Sequence, residues 1–370
     1  MPSATELKYN KGEWSEFYTF LDVLGSGQLQ IGNSKIEPLD EYYTVINVYR
    51  DDPGYMLVFS IDEASGLVRI APENDRIIIN ERAIPMQRFT DMAGHVLREI
   101  RLGSKTFSIE GVQEFLSEIG CTNVKYGRHD SKIDIDLQLR DFHTGLNHRL
   151  GFSIKSQLGG SSTLLNASQA TRFRFDVDYP GADCRFIETF NGSRVKLRKK
   201  LAEYSARGMR LSFRCMHSET YDENLVLIDT VLPRIIAAAL VEYYVHGKRD
   251  VSEATAELIR SNPIDVPTGV KQRYYPEKMR GLLRATALGM VPGTRWDGRQ
   301  EATGGYIIVS ATGDVVCFSR HNDDEFRDYL YENTRFDTPS TTRNHIGVIC
   351  RDREGMYIDL ALQIRFSDGK

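Results

Sequence analysis

The stretch "DSKIDIDLQLRD", residues 130–141, alternates strictly: Ile133, Ile135, Leu137 and Leu139 fall on one face, and Asp134, Asp136 and Gln138 on the other. That is the pattern of a half-buried β-strand. A turn region, "FHTGLNH" (142–148), separates it from "RLGFSIKSQ" (149–157), which reads as a second strand with Ser153 and Lys155 on one side and Phe152 and Ile154 on the other. If the two strands are antiparallel neighbours, Asp134, Ser153 and Lys155 converge on one patch of sheet. An acid, a hydroxyl and an ammonium together suit phosphodiester hydrolysis. A carboxylate holds Mg²⁺, the metal binds the scissile phosphate, and the lysine positions the attacking water or helps deprotonate it. Lysine fits that role because a nearby metal and partial burial lower its pKa.

The set is one carboxylate short, since Ser153 stands where a second acid is expected and Mg²⁺ recruits more than one carboxylate or substrate oxygen. Asp136 lies on the same strand face, about 7 Å along, and so rivals Asp134 as metal ligand. A carboxylate from another element is the better solution. The segment "KGEWSEFYTFLDVLGSGQL" (11–29) supplies one: residues 13–24 read as a helix with Phe17, Phe20, Leu21 and Leu24 at i, i+3, i+4 and i+7. Glu16 sits beside that apolar stripe, where a helix that only packs would not place an acid. Glu13, one turn earlier, reads as a first-turn acid facing water and the helix dipole. Gln157 continues the face of Ser153 and Lys155 and is a candidate for contact with a phosphate or a metal-bound water.

Lys11-Gly12 followed by Glu16, a strand Asp and the tripeptide Ser153-Ile154-Lys155 resemble the PD-(D/E)xK nuclease superfamily, in which a KGxxxE helix joins a strand Asp and a [DE]xK strand. More closely, "NKGEWSEFYTFLDVLGSGQL" (10–29) together with "GFSIKSQLGGSSTLLNAS" (151–168) is similar to the HpaII family of type II restriction endonucleases. The resemblance implies a mixed α/β (α+β) fold with a restriction-endonuclease-like αβββαβ core carrying an inserted β-rich segment, followed by a C-terminal α+β DNA-recognition region. It implies Mg²⁺-dependent cleavage of duplex DNA at a short palindrome, CCGG for the family prototype. A cognate DNA methyltransferase is the genetic partner it brings, as in restriction-modification systems, and it leaves room for a homodimer. In the superfamily a Ser often replaces the second acid and a helix glutamate takes over its function. On that basis Asp134 is the principal metal ligand and Lys155 the water-orienting base or transition-state stabiliser, with Glu16 as second carboxylate. The usual K-x-D-I spelling, here from Lys132, favours Asp134 over Asp136.

The chain has 370 residues, a net charge of −4, 41% hydrophobic and 26% charged residues, as expected of a globular protein with two domains or one large one. The longest apolar run, Ile235 to Val245, carries Glu242 and is too short to span a bilayer. Five scattered cysteines without a CxxC pair argue against structural zinc and a disulfide framework. With no apolar leader region at the start, a cytoplasmic protein without membrane association is expected. Short β-rich runs from about 28 to 80 read as an insertion, helices follow at 85–103 and 108–120 (with Ser108 as N-cap and Gly120 as C′), and a boundary falls near 190. The expected domains are thus a nuclease core over 1–190 and an α+β recognition region over 191–370, with helices near 196–208, 229–246 and 276–289, hairpins at 304–319 and 345–366, and a charged helix between them.

For DNA, "LGGSSTLLNAS" (158–168) offers two glycines and then Ser161, Ser162, Thr163 and Asn166 at an expected helix N-terminus, a ready anion site. The basic run 193–214, including Lys196 and Lys199, has one acid, Glu203, and suits tracking of a phosphate backbone or merely a solvated helix face. Base reading falls to arginines of the second half, such as Arg295, Arg299 and Arg343, among which the sequence does not choose. Three other readings stand beside this one: a repair or structure-specific nuclease without sequence preference, a non-catalytic DNA-binding protein, and a plain α/β protein with a wet acidic face.

Overall fold

The computed structural model describes residues 7–52, 55–73, 82–125, 133–141, 145–160, 162–180, 182–300, 302–319 and 323–367. The chain forms two compact units: Met1–Ser162 with Glu301–Phe326, and Thr163–Gln300 with Arg327–Asp368. The division therefore differs from a single cut near 190. Residues 163–190 go with the second unit, and 301–326 return to the first.

The first unit is organised around a nine-stranded sheet. In spatial order its strands are Gln28–Gly32, Val315–Phe318, Gly305–Val309, Asn147–Ser156, Ile135–Arg140, Pro38–Asp52, Tyr55–Asp62, Leu67–Pro72 and Arg82–Pro85. Gln28–Gly32 also pairs with Pro38–Asp52, so the first six strands form a closed ring of pairings. Two contacts in the sheet are parallel, Asn147–Ser156 with Gly305–Val309 and Gln28–Gly32 with Val315–Phe318; the others are antiparallel. The β-rich stretch expected as an insertion is part of this sheet. Pro38–Asp52 hydrogen-bonds directly to Ile135–Arg140, because its alternating apolar residues share the same core face.

That core lies between the sheet and the helices Lys11–Ser26, Met86–Leu102 and Val112–Ile119. Trp14, Phe17, Phe59, Phe89, Phe115 and Phe152 are fully buried in it, each contributing about 1.5–3 kcal/mol. Trp14 Nε1 donates to the carbonyl of Phe107 at 3.0 Å, which satisfies its one polar atom. The first helix begins with a capping box: Glu13 N donates to Asn10 Oδ1 at 3.1 Å and Asn10 N to Glu13 Oε2 at 2.8 Å. It ends at Gly27, whose φ of +70° places it in the left-handed region. Gly120 ends the third helix in the same way, but that helix starts after Gly111 with no side-chain cap, so Ser108 is not its N-cap.

The second unit holds two antiparallel sheets. One orders Arg210–Met216, Arg172–Asp178, Met356–Ala361 and Ile349–Arg351; the other orders Thr163–Leu165, Ile364–Phe366 and Thr334–Phe336. The helices expected near 196–208, 229–246 and 276–289 are Leu197–Ala206, Leu232–Tyr244 and Lys271–Leu288. Cys184–Gly192, Glu219–Ile228 and Val251–Ser261 are further helices that the periodicity did not reveal. The helix expected after Gly160 is absent. Thr163–Leu165 is a strand paired with Ile364–Phe366, and burial of Leu164 and Leu165 in that pairing overrides the local Ser/Thr capping signal. Among the described residues no single helix is long and apolar enough to cross a membrane.

Candidate active site

The two strands read from the sequence pair antiparallel, with Ile135 opposite Phe152 and Asp136 opposite Gly151. Asp134 extends the ladder by one residue, its N–H donating to the carbonyl of Phe152 at 2.8 Å. The pleat then places Asp134, Ser153 and Lys155 on one face. Asp134 Oδ2 accepts from Ile154 N at 2.7 Å and from Ser153 Oγ at 3.0 Å. Lys155 Nζ donates to Ser153 Oγ at 2.8 Å and to the carbonyl of Ile154 at 3.0 Å, and lies 3.8 Å from Asp134 Oδ2. Ser153, only 3% exposed, is thus a bridge that orients both charged groups. Both hydrogen bonds to Asp134 and the Lys155 ion pair fall on Oδ2; among the described residues no bond reaches Oδ1.

Glu16 comes to the same place from the first helix. It and Asp134 line one small cavity of about 10 Å³, together with Phe20, Tyr49, Arg50, Val124 and Ile135. The helix is held at this register by its aromatic stripe and by Ser15 Oγ, which donates to Ser156 Oγ at 2.8 Å. Burial pushes the Glu16 carboxyl up to about 7, with the nearby charge of Asp134 adding to the rise and Lys155 opposing it. A carboxyl whose ionisation burial and a neighbouring carboxylate oppose, facing that carboxylate across one atom-sized cavity, offers with it a donor set for a hard divalent cation. Among the described residues no group of three or more His, Cys, Asp or Glu is arranged to hold a metal. Two carboxylates plus water and phosphate oxygens are the usual provision for Mg²⁺, so the residues present fit the ion.

Asp136 is engaged elsewhere. Arg149 Nε donates to its Oδ2 at 3.0 Å, the same guanidinium pairs with Glu73 at 2.7 Å, and it lies over the Tyr49 ring at 3.6 Å. Gln157 Oε1 accepts from Ala311 N at 3.3 Å, tying the strand end to the turn of the 305–318 hairpin. Glu13 is the first-turn acid expected, and beyond that expectation it closes the capping box and pairs with Lys125. Ser162 is half-buried, Thr163 opens a strand and Asn166 is exposed; without a helix here, no helix dipole supports anion binding at these residues. Ser161, His143 and Lys132 lie outside the described residues. Lys196 and Lys199 are exposed, the first as N-cap and the second in the first turn of Leu197–Ala206 in the second unit.

Two residues at the site were not singled out from the sequence. Tyr306, opposite Ser153 in the parallel strand, puts its ring 5.4 Å from Lys155 Nζ. Arg50 is 4% exposed, stacks on Phe20 at 4.9 Å and donates from Nη2 to the carbonyls of Asn123 and Lys125 at 2.6 and 3.0 Å. An arginine two positions after the core residue Val48 on an alternating strand was the available signal. Tyr306 offered none, because its neighbour is 153 residues away in sequence and joined only by sheet pairing.

Comparison with known proteins gives the family of the chain. A family model described as HpaII restriction endonuclease matches residues 10–366. The type II restriction enzyme HpaII of Haemophilus parainfluenzae is 34% identical over 360 residues, covering 96% of this chain and 98% of that protein. No solved structure matches. The match runs through both units, the helix carrying Glu16 and the hairpin carrying Asp134, Ser153 and Lys155, and on that extent the chain belongs to the HpaII restriction endonuclease family.

Proposed function

We propose that this member of the family cleaves both strands of duplex DNA at a short palindrome, with CCGG the first sequence to test, and that Asp134, Glu16 and Lys155 are its catalytic residues. The observation that carries the reading is the convergence of Glu16 and Asp134 on one cavity, with Lys155 tied through Ser153 to the same carboxylate. Asp134 and Glu16 would hold Mg²⁺, which when bound supplies positive charge to the scissile phosphate and acidifies its water. Asp134 is favoured over Asp136 because Arg149 already neutralises the latter. Asp134 is preorganised by two hydrogen bonds, so little reorganisation accompanies cation binding. Glu16 must lose its proton to bind a cation. Lys155, its ammonium aimed by Ser153 Oγ and the Ile154 carbonyl, orients the attacking water and stabilises charge developing on the phosphate oxygens.

The same reading makes Gln157, Ser161, Ser162, Thr163, Asn166, Lys196 and Lys199 candidates for DNA contact. It makes a cognate DNA methyltransferase the genetic partner and the cytoplasm the place of action, and gel filtration decides between monomer and homodimer. The test is digestion of plasmid DNA with Mg²⁺. Discrete bands are expected, with Asp134→Ala and Lys155→Ala each abolishing cleavage while retaining DNA binding. A smear would indicate a nuclease without sequence preference, and cleavage that survives both substitutions would overturn the assignment.

A further inference from the structure

The second unit contains a cleft of about 1310 Å³, larger than the roughly 300–1,000 Å³ of a small-molecule pocket. Six basic residues line it: Arg194, Lys196, Arg198, Lys199, Lys200 and Arg249. One carboxylate, Asp337, does so too, and it is neutralised by Arg365 at 2.8 Å.

These cations divide into two sets. Arg198 and Lys200 are committed to the frame. Arg198 donates to the carbonyls of Tyr243 and Gly247 at 3.2 and 3.0 Å and lies over the Tyr243 ring. Lys200, 7% exposed, donates to the carbonyl of Phe190 at 3.0 Å and lies over its ring. These bonds fix the first turn of Leu197–Ala206 without neutralising either charge. Arg194, Lys196, Lys199 and Arg249, by contrast, are exposed and make no ion pair among the described residues. Exposed hydroxyls of Thr341 and Thr342 complete the lining with neutral donors.

Unpaired cations gathered in a concave surface are unusual on a chain of net charge −4, and they repel one another unless a polyanion joins them. Lysine and arginine on a rigid helix end, with hydroxyls beside them and no carboxylate competing, form the donor set for phosphodiester oxygens. We propose that this cleft binds the sugar-phosphate backbone of duplex DNA through Arg194, Lys196, Lys199 and Arg249, as a sequence-independent clamp held by the second unit. The proposal rests on the nuclease reading of the first unit and adds to it where the polyanion is gripped.

The experiment measures binding of a fluorescent duplex by the full-length protein in chelator, so that no cleavage occurs, across a salt series. Duplexes with and without CCGG are compared. The double substitution Lys196→Ala with Lys199→Ala is expected to weaken both duplexes equally and to lower the slope of log affinity against log salt by about 1.8, at about 0.9 per phosphate contact. Arg249→Ala should lower it by about 0.9. Arg207→Ala lies in the same basic run but outside the cleft and pairs with Glu203; it should leave affinity and slope unchanged. All substituted positions are exposed, and matching melting curves exclude misfolding as the cause. Wild-type affinity and slope in the double variant would overturn the clamp, as would a loss confined to the CCGG duplex. Neither outcome touches the nuclease reading, which fails separately if Asp134→Ala still cleaves.

Discussion

Replacing Glu16 by Gln tests the most consequential feature of the site, an acid held half-buried beside another acid. Its carboxyl ionises at about 7 instead of the ordinary 4.5, chiefly because the helix buries it and secondly because Asp134 is close. At about 1.4 kcal/mol per pH unit, that displacement corresponds to about 3 kcal/mol. The folded-state value lies above the unfolded one, so the native protein has this contribution in full below pH 4.5 and has lost it once the pH rises through about 7. Glutamine keeps the shape of the protonated acid and cannot ionise. Without divalent ions, Glu16→Gln and the unaltered protein should therefore melt together at pH 4.5. Above pH 7.5 the variant should be more stable by at most about 3 kcal/mol, or about 6–12 °C for a unit of 150–250 residues. Adding Mg²⁺ at pH 8 should stabilise the unaltered protein and not the variant, and the variant should lose several orders of magnitude in cleavage rate. Scanning calorimetry at both pH values, with and without the ion, reads all of this. Equal melting at pH 8, or a variant less stable there, would mean that Glu16 ionises freely in water, and the assignment of a paired carboxylate site would fail.

Asp136→Asn should retain cleavage within about tenfold, since Arg149 already occupies that carboxylate; a plasmid assay showing loss comparable to Asp134→Ala would reverse the choice between the two acids. Ser153→Ala removes the bridge between Lys155 and Asp134 and should slow single-turnover cleavage by about tenfold, the worth of one hydrogen bond of about 1.4 kcal/mol. An unchanged rate would reduce Ser153 to packing. Trp14→Ala, at a fully buried indole whose N–H is satisfied by Phe107, should cost about 3–5 kcal/mol in urea denaturation. A smaller loss than 1 kcal/mol would show that the first helix is not anchored as described.

Much of the site was legible because its parts lie on periodic elements. Alternation in 133–140 and in 150–156 fixed which face Asp134, Ser153 and Lys155 share, and sheet pairing carried that face into space unchanged. The 3.6-residue stripe of the first helix put Glu16 at its margin, in line with Phe20 one turn on, and both line the same cavity. The choice between Asp134 and Asp136 was not legible in the periodicity, since the two acids are equivalent on a strand face. The resemblance favoured Asp134, and the side of the argument that came from space was Arg149, which covers one of them.

Local signals failed where distant residues compete with them. Ser162 and Thr163 carry a capping signal, yet Leu164 and Leu165 gain more by burial against Ile364–Phe366 than a cap offers. The 28–80 region looked like an insertion because its strands are contiguous in sequence, whereas its partners at 135–140 and 315–318 are far along the chain. Sequence by itself determined the faces, the helix register and the identity of the chemical groups, because each follows from spacing within one element. Only tertiary structure decided which acid Arg149 covers, which strands close the sheet and which lysines share a cleft. Those outcomes depend on pairings between segments whose separation along the chain carries no periodic trace.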